Sequence, residues 1–443
     1  MGSWEGLLLS TTVSQRIPSR AWPLGRGETT TAVLTAVATI AILFSIAASQ
    51  ILLGAALLSL LLSRRAIRFP TRFGVALLAF LGWTLLSLAF SGTPWTGLSQ
   101  VRKLFLFASF LLAYNAYYEP RQVWRTVQAV VLGGAIAALY GLAQFAQVYW
   151  NLARQGLPFY ENYVVHQITG FMGHWMTFSG QLMMVLLLAA SILLFGGLAG
   201  KLRAGGWLAM GLIGVALLVT FTRGVWLGTF AGLAYLLARS QRRLLWLLPL
   251  GLLLLYLASP AWLQRRGESI FDVQTDTSNQ ARLVMLSTGL KMIAAHPWFG
   301  IGPERVGPEF LQYKPAAAPL PPGWYGHLHN DYLQLAAERG IPCLLFWLWM
   351  LIEVFRANLS LARGPTQEAR ALGHAAVAIT LGMMVSGLFE FNFGDSEVLM
   401  LYLYLISAPY AWARLEQQAL REPLHPEALP ASFPRPKPAP EVS

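Results

Sequence analysis

Two histidines stand out in the stretch GHLHNDYLQLAAERG, residues 326–340, because they immediately precede a predicted helix. A neutral imidazole accepts a proton from a hydroxyl group near pH 7, so His329 is a candidate general base. His327 and His174 compete for that role, and any of the three rings can instead be a structural hydrogen-bonding group. Glu390, in GLFEFNFGDSE, is a candidate either for a base or for the partner of an arginine.

Four basic residues on the predicted outer side of the membrane are candidates for binding an anion. Arg223 lies between two such runs in TFTRGVWLG, and a charge at that depth is costly and tends to be functional. Arg282 lies in the first turn of a predicted helix, where its guanidinium adds to the anion-binding helix N–H groups. Arg102 and Lys103 add further charge, although each of the four can also be a surface or ion-paired residue. Together they favour an anion with several charges, such as a lipid-linked diphosphate.

Several other ligand classes are not predicted. The acidic residues lack the Asp-x-Asp spacing of a metal site for sugar nucleotides, so we expect neither a metal nor another cofactor. The single cysteine, Cys343, offers no disulfide and no cysteine metal site. The net charge of +12 comes from basic residues between apolar runs and not from a patch with interleaved aromatic residues, so nucleic acid is not an expected partner.

Composition predicts the scaffold that must position these residues. The chain is 56% hydrophobic and 12% charged, with a mean hydropathy of +0.52, whereas soluble domains carry about 25% charged residues. Twelve apolar runs have lengths suited to helices that cross a bilayer. We therefore predict an all-α polytopic membrane protein with about twelve transmembrane helices.

Charge and composition divide the chain into five segments. Most lysines and arginines lie in alternate connections, which predicts that both termini face the cytoplasm. Within the largest polar connection, Asn279–Ala295 is a predicted helix with Ser278 as N-cap, and its leucines predict that it lies on the membrane surface or on the bundle. The segments are a cytoplasmic N-terminal tail (1–30), nine transmembrane helices (31–259), a large periplasmic loop containing helices (260–340), three transmembrane helices (341–415) and a disordered cytoplasmic tail (416–443).

An enzyme and a transporter are the two classes of function that fit this arrangement. Transporters typically have charges and Gly/Pro breaks at mid-membrane depth, together with internal symmetry. In this chain the ionisable candidates gather near one predicted membrane face. That distribution favours an enzyme over a transporter of lipid-linked glycans.

Three motifs in order resemble a known family. HNDYLQLAAERG, from His329 to Gly340, fits the pattern His-[Asn/Ser/Gln], nine residues, Gly of the O-antigen ligase and polymerase superfamily. The upstream NQARLVMLSTGLKMIAAHPWFGIGPERV is similar to the loop signature of that superfamily, with an arginine, a helix and Pro-x-x-Gly-x-Gly. TFTRGVWLG resembles its Thr-x-[Ser/Thr]-Arg-Gly segment. The chain departs from many members at GFMGHWMTFSG, where those members have a Pro-Asn pair.

The resemblance implies a fold, an activity and site residues. It implies a fold similar to the GT-C membrane glycosyltransferases and metal-free transfer of a glycan from undecaprenyl diphosphate to an acceptor hydroxyl. Arg223 and Arg282 match the diphosphate-binding arginines of the family, and His329 matches its essential histidine, the expected base. The expected site lies on the periplasmic side of a bacterial inner membrane. Attack opposite the leaving group predicts inversion at the anomeric carbon.

The acceptor is left open by the sequence. A ligase would join the glycan to a lipid A-core sugar, which is the interpretation we favour. A polymerase for O-antigen or exopolysaccharide, or a protein O-oligosaccharyltransferase, would share the donor site and differ in the acceptor. The expected partners are therefore a lipid-linked glycan donor, a glycan or other hydroxyl-bearing acceptor, and membrane lipids.

Overall fold

The computed structural model describes residues 26–63, 66–92, 94–97, 99, 103–272, 274, 276–321 and 326–421. Within these ranges every regular element is helical. Seven helices are long and apolar enough to cross a membrane, by length and composition, and three shorter apolar helices accompany them. The prediction of an all-α polytopic membrane protein is therefore confirmed, whereas twelve spans and a GT-C fold stay predictions.

The α-helices of the described ranges are numbered in chain order. They are α1 (Arg26–Ala41), α2 (Ile46–Leu62), α3 (Thr71–Phe90), α4 (Ala108–Asn115), α5 (Pro120–Arg154), α6 (Phe159–Tyr163), α7 (Trp175–Phe195), α8 (Gly200–Val219), α9 (Arg223–Ser240), α10 (Leu247–Ala258), α11 (Ala261–Glu268), α12 (Thr277–Ala295), α13 (Val306–Tyr313), α14 (Asp331–Leu361), α15 (Gln367–Ser386) and α16 (Ser396–Arg421). The seven candidate spans lie in α3, α5, α7, α8, α14, α15 and α16.

The predicted N-terminal tail ends inside α1, and the predicted C-terminal tail begins inside α16. Helix α1 starts at Arg26, within the predicted tail 1–30, and α16 continues to Arg421, within the predicted tail 416–443. The end of α16 is rich in Ala, Leu, Glu, Gln and Arg, which are good helix formers, so the helix outlasts its apolar part. The remainder of both tails lies outside the described residues.

Helix α7 forms the centre of the bundle, and 89% of its apolar window is buried. It packs against α8, α9 and α15. Helices α9 and α15 run antiparallel and close together, because Gly228 and Gly232 of α9 lie against the carbonyl groups of Gly382 and Ala378. This packing brings the first residues of α7 and α9 to the same end of the bundle as the last residues of α15.

Helix α14 is broken at Gly340, and the break receives the loop that follows α12. Gly340 has φ +82° and Gly300 of the loop has φ +67°, both in the region that favours glycine. A Cβ at Gly340 would overlap the carbonyl of Trp298. The N–H of Ile301 donates to the carbonyl of Ala337 at 2.9 Å. The loop and the first part of α14 therefore fit together through their backbones.

Helix α12 starts two residues before the predicted position. Its N-cap is Asp276 and not Ser278, because Oδ1 of Asp276 accepts the N–H of Asn279 at 2.9 Å. The helix ends at Ala295 as predicted. It packs on α14 through its buried face, which carries Met285, Thr288, Gly289 and Met292. Its other face leaves three leucines exposed, namely Leu283, Leu286 and Leu290.

Candidate active site

His329 lies just before α14, in a left-handed backbone conformation with φ +47°. The next residue, Asn330, caps the helix by accepting the N–H of Leu333 at 2.8 Å, as its residue type predicts. The amide of Asn330 also donates to the carbonyl of Leu388 at 2.9 Å. These bonds hold the His329 ring against Glu390, with Nδ1 and Oε2 3.2 Å apart.

Glu390 is buried between an imidazole and a guanidinium. Its Oε1 lies 2.8 Å from Nη2 of Arg282, and its Oε2 faces His329. Burial alone would raise the pKa of the Glu390 carboxyl, but the Arg282 charge and the His329 hydrogen bond outweigh it, so the pKa is lowered. Glu390 is therefore a carboxylate at neutral pH.

The ionised Glu390 determines which nitrogen of His329 can act as a base. A carboxylate only accepts hydrogen bonds, so Nδ1 of His329 carries the hydrogen that Glu390 accepts. The other nitrogen, Nε2, then has a free lone pair. A neutral imidazole oriented by a carboxylate is an arrangement that removes a proton from a hydroxyl nucleophile.

Arg282 lies in the second turn of α12, and not in the first as predicted, because the helix starts two residues earlier. It uses three of its N–H groups on protein acceptors. Nε donates to the carbonyl of Phe389 at 3.2 Å, Nη1 donates to the hydroxyl of Ser278, and Nη2 donates to Glu390. A guanidinium has five N–H donors, so two have no acceptor among the described residues and remain for a ligand. The side chain is 24% exposed, which keeps those donors accessible.

A polar cavity of about 220 Å³ lies beside His329 and Glu390, and Arg282 adjoins it through Glu390 without lining it. Its lining residues come from the start of α7, the segment before α14 and the segment between α15 and α16. They are His174, Met176, Thr177, His327, His329, Glu390, Phe391, Asn392 and Asp395. The predicted base, its carboxylate partner and both competing histidines thus share one cavity.

The two competing histidines are held in neutral form. Burial, together with the nearby His329 ring, lowers the pKa of His327 to about 4. The rings of His327 and His329 are 4.2 Å apart, and Nδ1 of His327 is buried without a hydrogen-bond partner. His174 caps α7 by accepting the N–H of Met176 at 3.2 Å, and burial lowers its pKa as well. His174 therefore has a structural bond, whereas His327 presents an unpaired nitrogen.

Three polar lining residues, Thr177, Asn392 and Asp395, were not predicted from the sequence. The hydroxyl of Thr177 donates to Oδ2 of Asp395 at 2.9 Å, and burial raises the pKa of Asp395 to about 6. Asn392 is fully buried, its Nδ2 donates to Ser386, and its Oδ1 has no partner. The signal that was available is the polar run NFGDSE between two apolar helices.

Arg223 does not line the cavity, because its guanidinium is held by protein acceptors. Nη1 and Nη2 lie 3.1 Å from the two carboxylate oxygens of Asp276. Nη1 also contacts the carbonyl and hydroxyl of Ser269, and Nη2 contacts Oδ1 of Asn279 at 3.1 Å. The side chain is 7% exposed. Arg223 and Arg282 therefore both contact the first turn of α12, but from different sides.

Of the two remaining basic candidates, Lys103 is described by the structure and is absent from the cavity lining. Nζ of Lys103 lies 3.7 Å from Glu304 and 3.4 Å from the carbonyl of Gly394, next to the cavity residue Asp395. Arg102 lies outside the described residues. Among the residues that the structure describes, no group of three or more His, Cys, Asp or Glu side chains has the geometry to hold a metal ion.

Residues 208–348 match the family model described as O-antigen ligase. The match contains Arg223, Arg282 and His329, and it ends before Glu390. It confirms the resemblance to the O-antigen ligase and polymerase superfamily that the three motifs indicate. No curated protein matches the chain in sequence.

Proposed function

Starting from the assignment of this chain to the O-antigen ligase and polymerase superfamily, we propose that it transfers a glycan from undecaprenyl diphosphate to a hydroxyl group of lipid A-core. The observation that carries the proposal is the contact series Arg282–Glu390–His329 beside a polar cavity. These groups supply a cation for a diphosphate and a base for a hydroxyl. In the proposal, the reaction takes place at the periplasmic face of the inner membrane.

His329 acts in this proposal as the base. Nε2 takes the proton of the acceptor hydroxyl while the oxygen attacks the anomeric carbon of the donor sugar. Glu390 keeps the ring in the required tautomer through the 3.2 Å contact with Nδ1, and it stabilises the imidazolium that forms. Attack opposite the diphosphate inverts the configuration at the anomeric carbon. General-base catalysis of this kind contributes about 10²- to 10⁴-fold to a rate.

Arg282 acts in this proposal on the departing diphosphate. As the glycosidic bond breaks, negative charge grows on the bridging phosphate oxygen. The two N–H groups of Arg282 that have no protein acceptor can donate to phosphate oxygens, and the guanidinium keeps Glu390 ionised at the same time. A donor fixed before the reaction stabilises such charge by about 3–4 kcal/mol in comparable sites.

Arg223 has a different place in the proposal from the one predicted by the sequence. All four of its Nη hydrogens have protein acceptors in the contacts with Asp276, Ser269 and Asn279. This geometry favours a positioning role, in which Arg223 fixes the start of α12 and thereby the guanidinium of Arg282. Arg223 can contact the diphosphate directly only if its ion pair with Asp276 breaks.

A reconstituted transfer assay tests the proposed function. Liposomes containing the purified protein are supplied with an undecaprenyl-diphosphate-linked glycan and one acceptor at a time: lipid A-core, a second lipid-linked repeat unit, or a glycosylatable protein. The expected product is a glycan on lipid A-core, detected by its mass. A product on a repeat unit or a protein instead would replace the ligase by a polymerase or an oligosaccharyltransferase.

Two histidine variants separate the chemistry from the fold. His329→Ala is expected to abolish transfer, because Nε2 is the only base in the proposal. His296→Ala is the matched control, because His296 lies in the same connection and its ring bonds to Tyr313 away from the cavity. Transfer by His329→Ala at the wild-type rate would remove His329 from the reaction.

A further inference from the structure

We propose that Thr177, Asn392 and Asp395 form a subsite that binds the hydroxyl groups of one sugar ring. The inference rests on the proposed function and extends it, because it assigns the wall of the cavity that the transfer chemistry does not use. The three residues come from two distant parts of the chain, the start of α7 and the segment between α15 and α16.

Polar atoms without protein partners point to a ligand at this wall. Asn392 is fully buried and lines the cavity, and its Oδ1 accepts no hydrogen bond. Among the described residues, Thr177 is the one hydrogen-bond donor to the Asp395 side chain, and it uses only Oδ2. A buried amide oxygen without a donor is costly unless another molecule supplies the hydrogen, and Oδ1 of Asp395 offers a second acceptor beside it.

Helix capping does not explain Asp395. Its carbonyl accepts the N–H of Leu399 at 2.9 Å, so Asp395 occupies the position at which an aspartate usually caps a helix with its side chain. The Asp395 carboxyl instead turns to Thr177 and lines the cavity. The Asp395 side chain thus faces the cavity and does not cap α16.

The charge of this wall selects hydroxyl groups over phosphate. The neighbouring His174 and His327 rings are neutral, and the carboxyl of Asp395 carries either a negative charge or a proton. Among the described residues, Lys103 is the cation that acts on the Asp395 carboxyl, and it is engaged by Glu304 and the carbonyl of Gly394. An acidic wall without an available cation repels a phosphate, whereas carboxylate, amide and imidazole groups bind the hydroxyls of a sugar.

The size of the cavity suits one sugar ring. Its volume is about 220 Å³. Pockets for drug-sized ligands start at about 300 Å³. The ring is either that of the acceptor or the first ring of the donor, because both carry vicinal hydroxyls beside the reacting atoms.

Steady-state kinetics of Asp395→Asn and Thr177→Val test the subsite. Each variant is measured with donor varied at saturating acceptor and then with acceptor varied at saturating donor. We expect KM for one of the two substrates to rise about tenfold with kcat changed less, because a lost hydrogen bond to a charged group has about that effect. A rise in the acceptor KM assigns the ring to the acceptor, and a rise in the donor KM assigns it to the donor.

Matched controls remove general effects of the substitutions. Glu309→Gln makes the same carboxyl-to-amide change in the ion pair with Arg305, away from the cavity. Thr229→Val makes the same change at a buried threonine whose hydroxyl bonds only to Val225 of its own helix. Both controls should retain wild-type KM values for donor and acceptor.

The outcomes distinguish this inference from the proposed function. Unchanged KM values in both variants of an active enzyme overturn the subsite. A loss of kcat by Asp395→Asn of 10³-fold or more at unchanged KM also overturns it, because that result describes a nucleophile. Calorimetric titration with core oligosaccharide released from lipid A, and with the donor, measures binding without turnover. Weaker binding by Asp395→Asn alongside a wild-type protein that transfers nothing would support the subsite and reject the transferase.

Discussion

Arg223 and Arg282 contact neighbouring residues of the same helical turn, yet their guanidinium groups are used differently. Arg223 is 7% exposed and forms a bidentate pair with Asp276, whereas Arg282 is 24% exposed and keeps two N–H groups without protein acceptors. The same residue type, predicted for the same role, thus holds a helix in one place and, in our proposal, binds the diphosphate in the other. The partner carboxylates account for the difference: Asp276 caps α12, and Glu390 faces the cavity through His329.

Among the residues that pair with the two arginines, the largest effect is expected from Glu390, the partner of Arg282. Glu390→Ala removes the acceptor for His329 Nδ1 and the partner of Arg282 together. We expect the rate of transfer to fall about 10²- to 10⁴-fold, because the base loses its orientation. The rate is measured with purified protein in liposomes. Glu390→Gln should retain part of the activity, and an Ala variant with wild-type activity would contradict the pairing.

Arg282→Ala should lower kcat about 10²- to 10³-fold, because it removes a fixed donor to the departing diphosphate. Arg305→Ala is the matched control, since Arg305 has the same 24% exposure and pairs with Glu309 outside the cavity. Quenched-flow measurement of a single turnover isolates the chemical step. Equal rates for the two variants would show that Arg282 does not act on the diphosphate. Arg282 would then have a structural role, as Arg223 does in this proposal.

Arg223 should affect stability more than chemistry. Arg223→Ala and Asp276→Asn each break a mostly buried pair, which costs about 3–5 kcal/mol in comparable cases. Both should lower Tm in detergent by similar amounts, and the double substitution to Met and Leu should recover part of the loss. A stable Asp276→Asn variant with a lower donor KM would instead show that Asp276 competes with the diphosphate for Arg223.

The smallest effect is expected from the pH dependence of Asp395. The pKa of Asp395 is raised from 3.8 to about 6 by burial, so the folded state binds its proton more tightly than the unfolded chain does. This contribution to stability is present below about pH 4 and is lost as pH rises through 6. Asp395→Asn should therefore have the wild-type Tm near pH 4 and a Tm a few degrees higher at pH 7.5. A Tm difference that does not change with pH would contradict the raised pKa.

Local sequence was sufficient to predict the helices and several individual roles. The apolar runs predicted the all-α membrane fold, and Asn330 caps α14 as its position before the helix suggests. The end of α12 at Ala295 also follows from the His-Pro pair after it. These features depend on neighbours within a few residues, which is the range that a single sequence reports.

Partners across the chain were beyond the sequence. The pair Arg223–Asp276 joins residues 53 apart, and the pair His329–Glu390 joins residues 61 apart. The ion-pair partners depend on how α9, α12 and α14 pack, and composition does not determine that packing. Thr177 was overlooked for a related reason: one hydroxyl in an apolar helix usually bonds to its own backbone.

The glycine break in α14 explains the spacing of the histidine motif. Nine helical residues, 331–339, separate Asn330 from Gly340, and they span about 14 Å at 1.5 Å per residue. At the C-terminal end of this segment Gly340 packs against the carbonyl of Trp298, and His329 precedes its N-terminal end. The number of residues in the motif therefore sets the position of the His329 ring. Inserting or deleting one residue would rotate the imidazole by about 100° around the helix axis and move it away from Glu390.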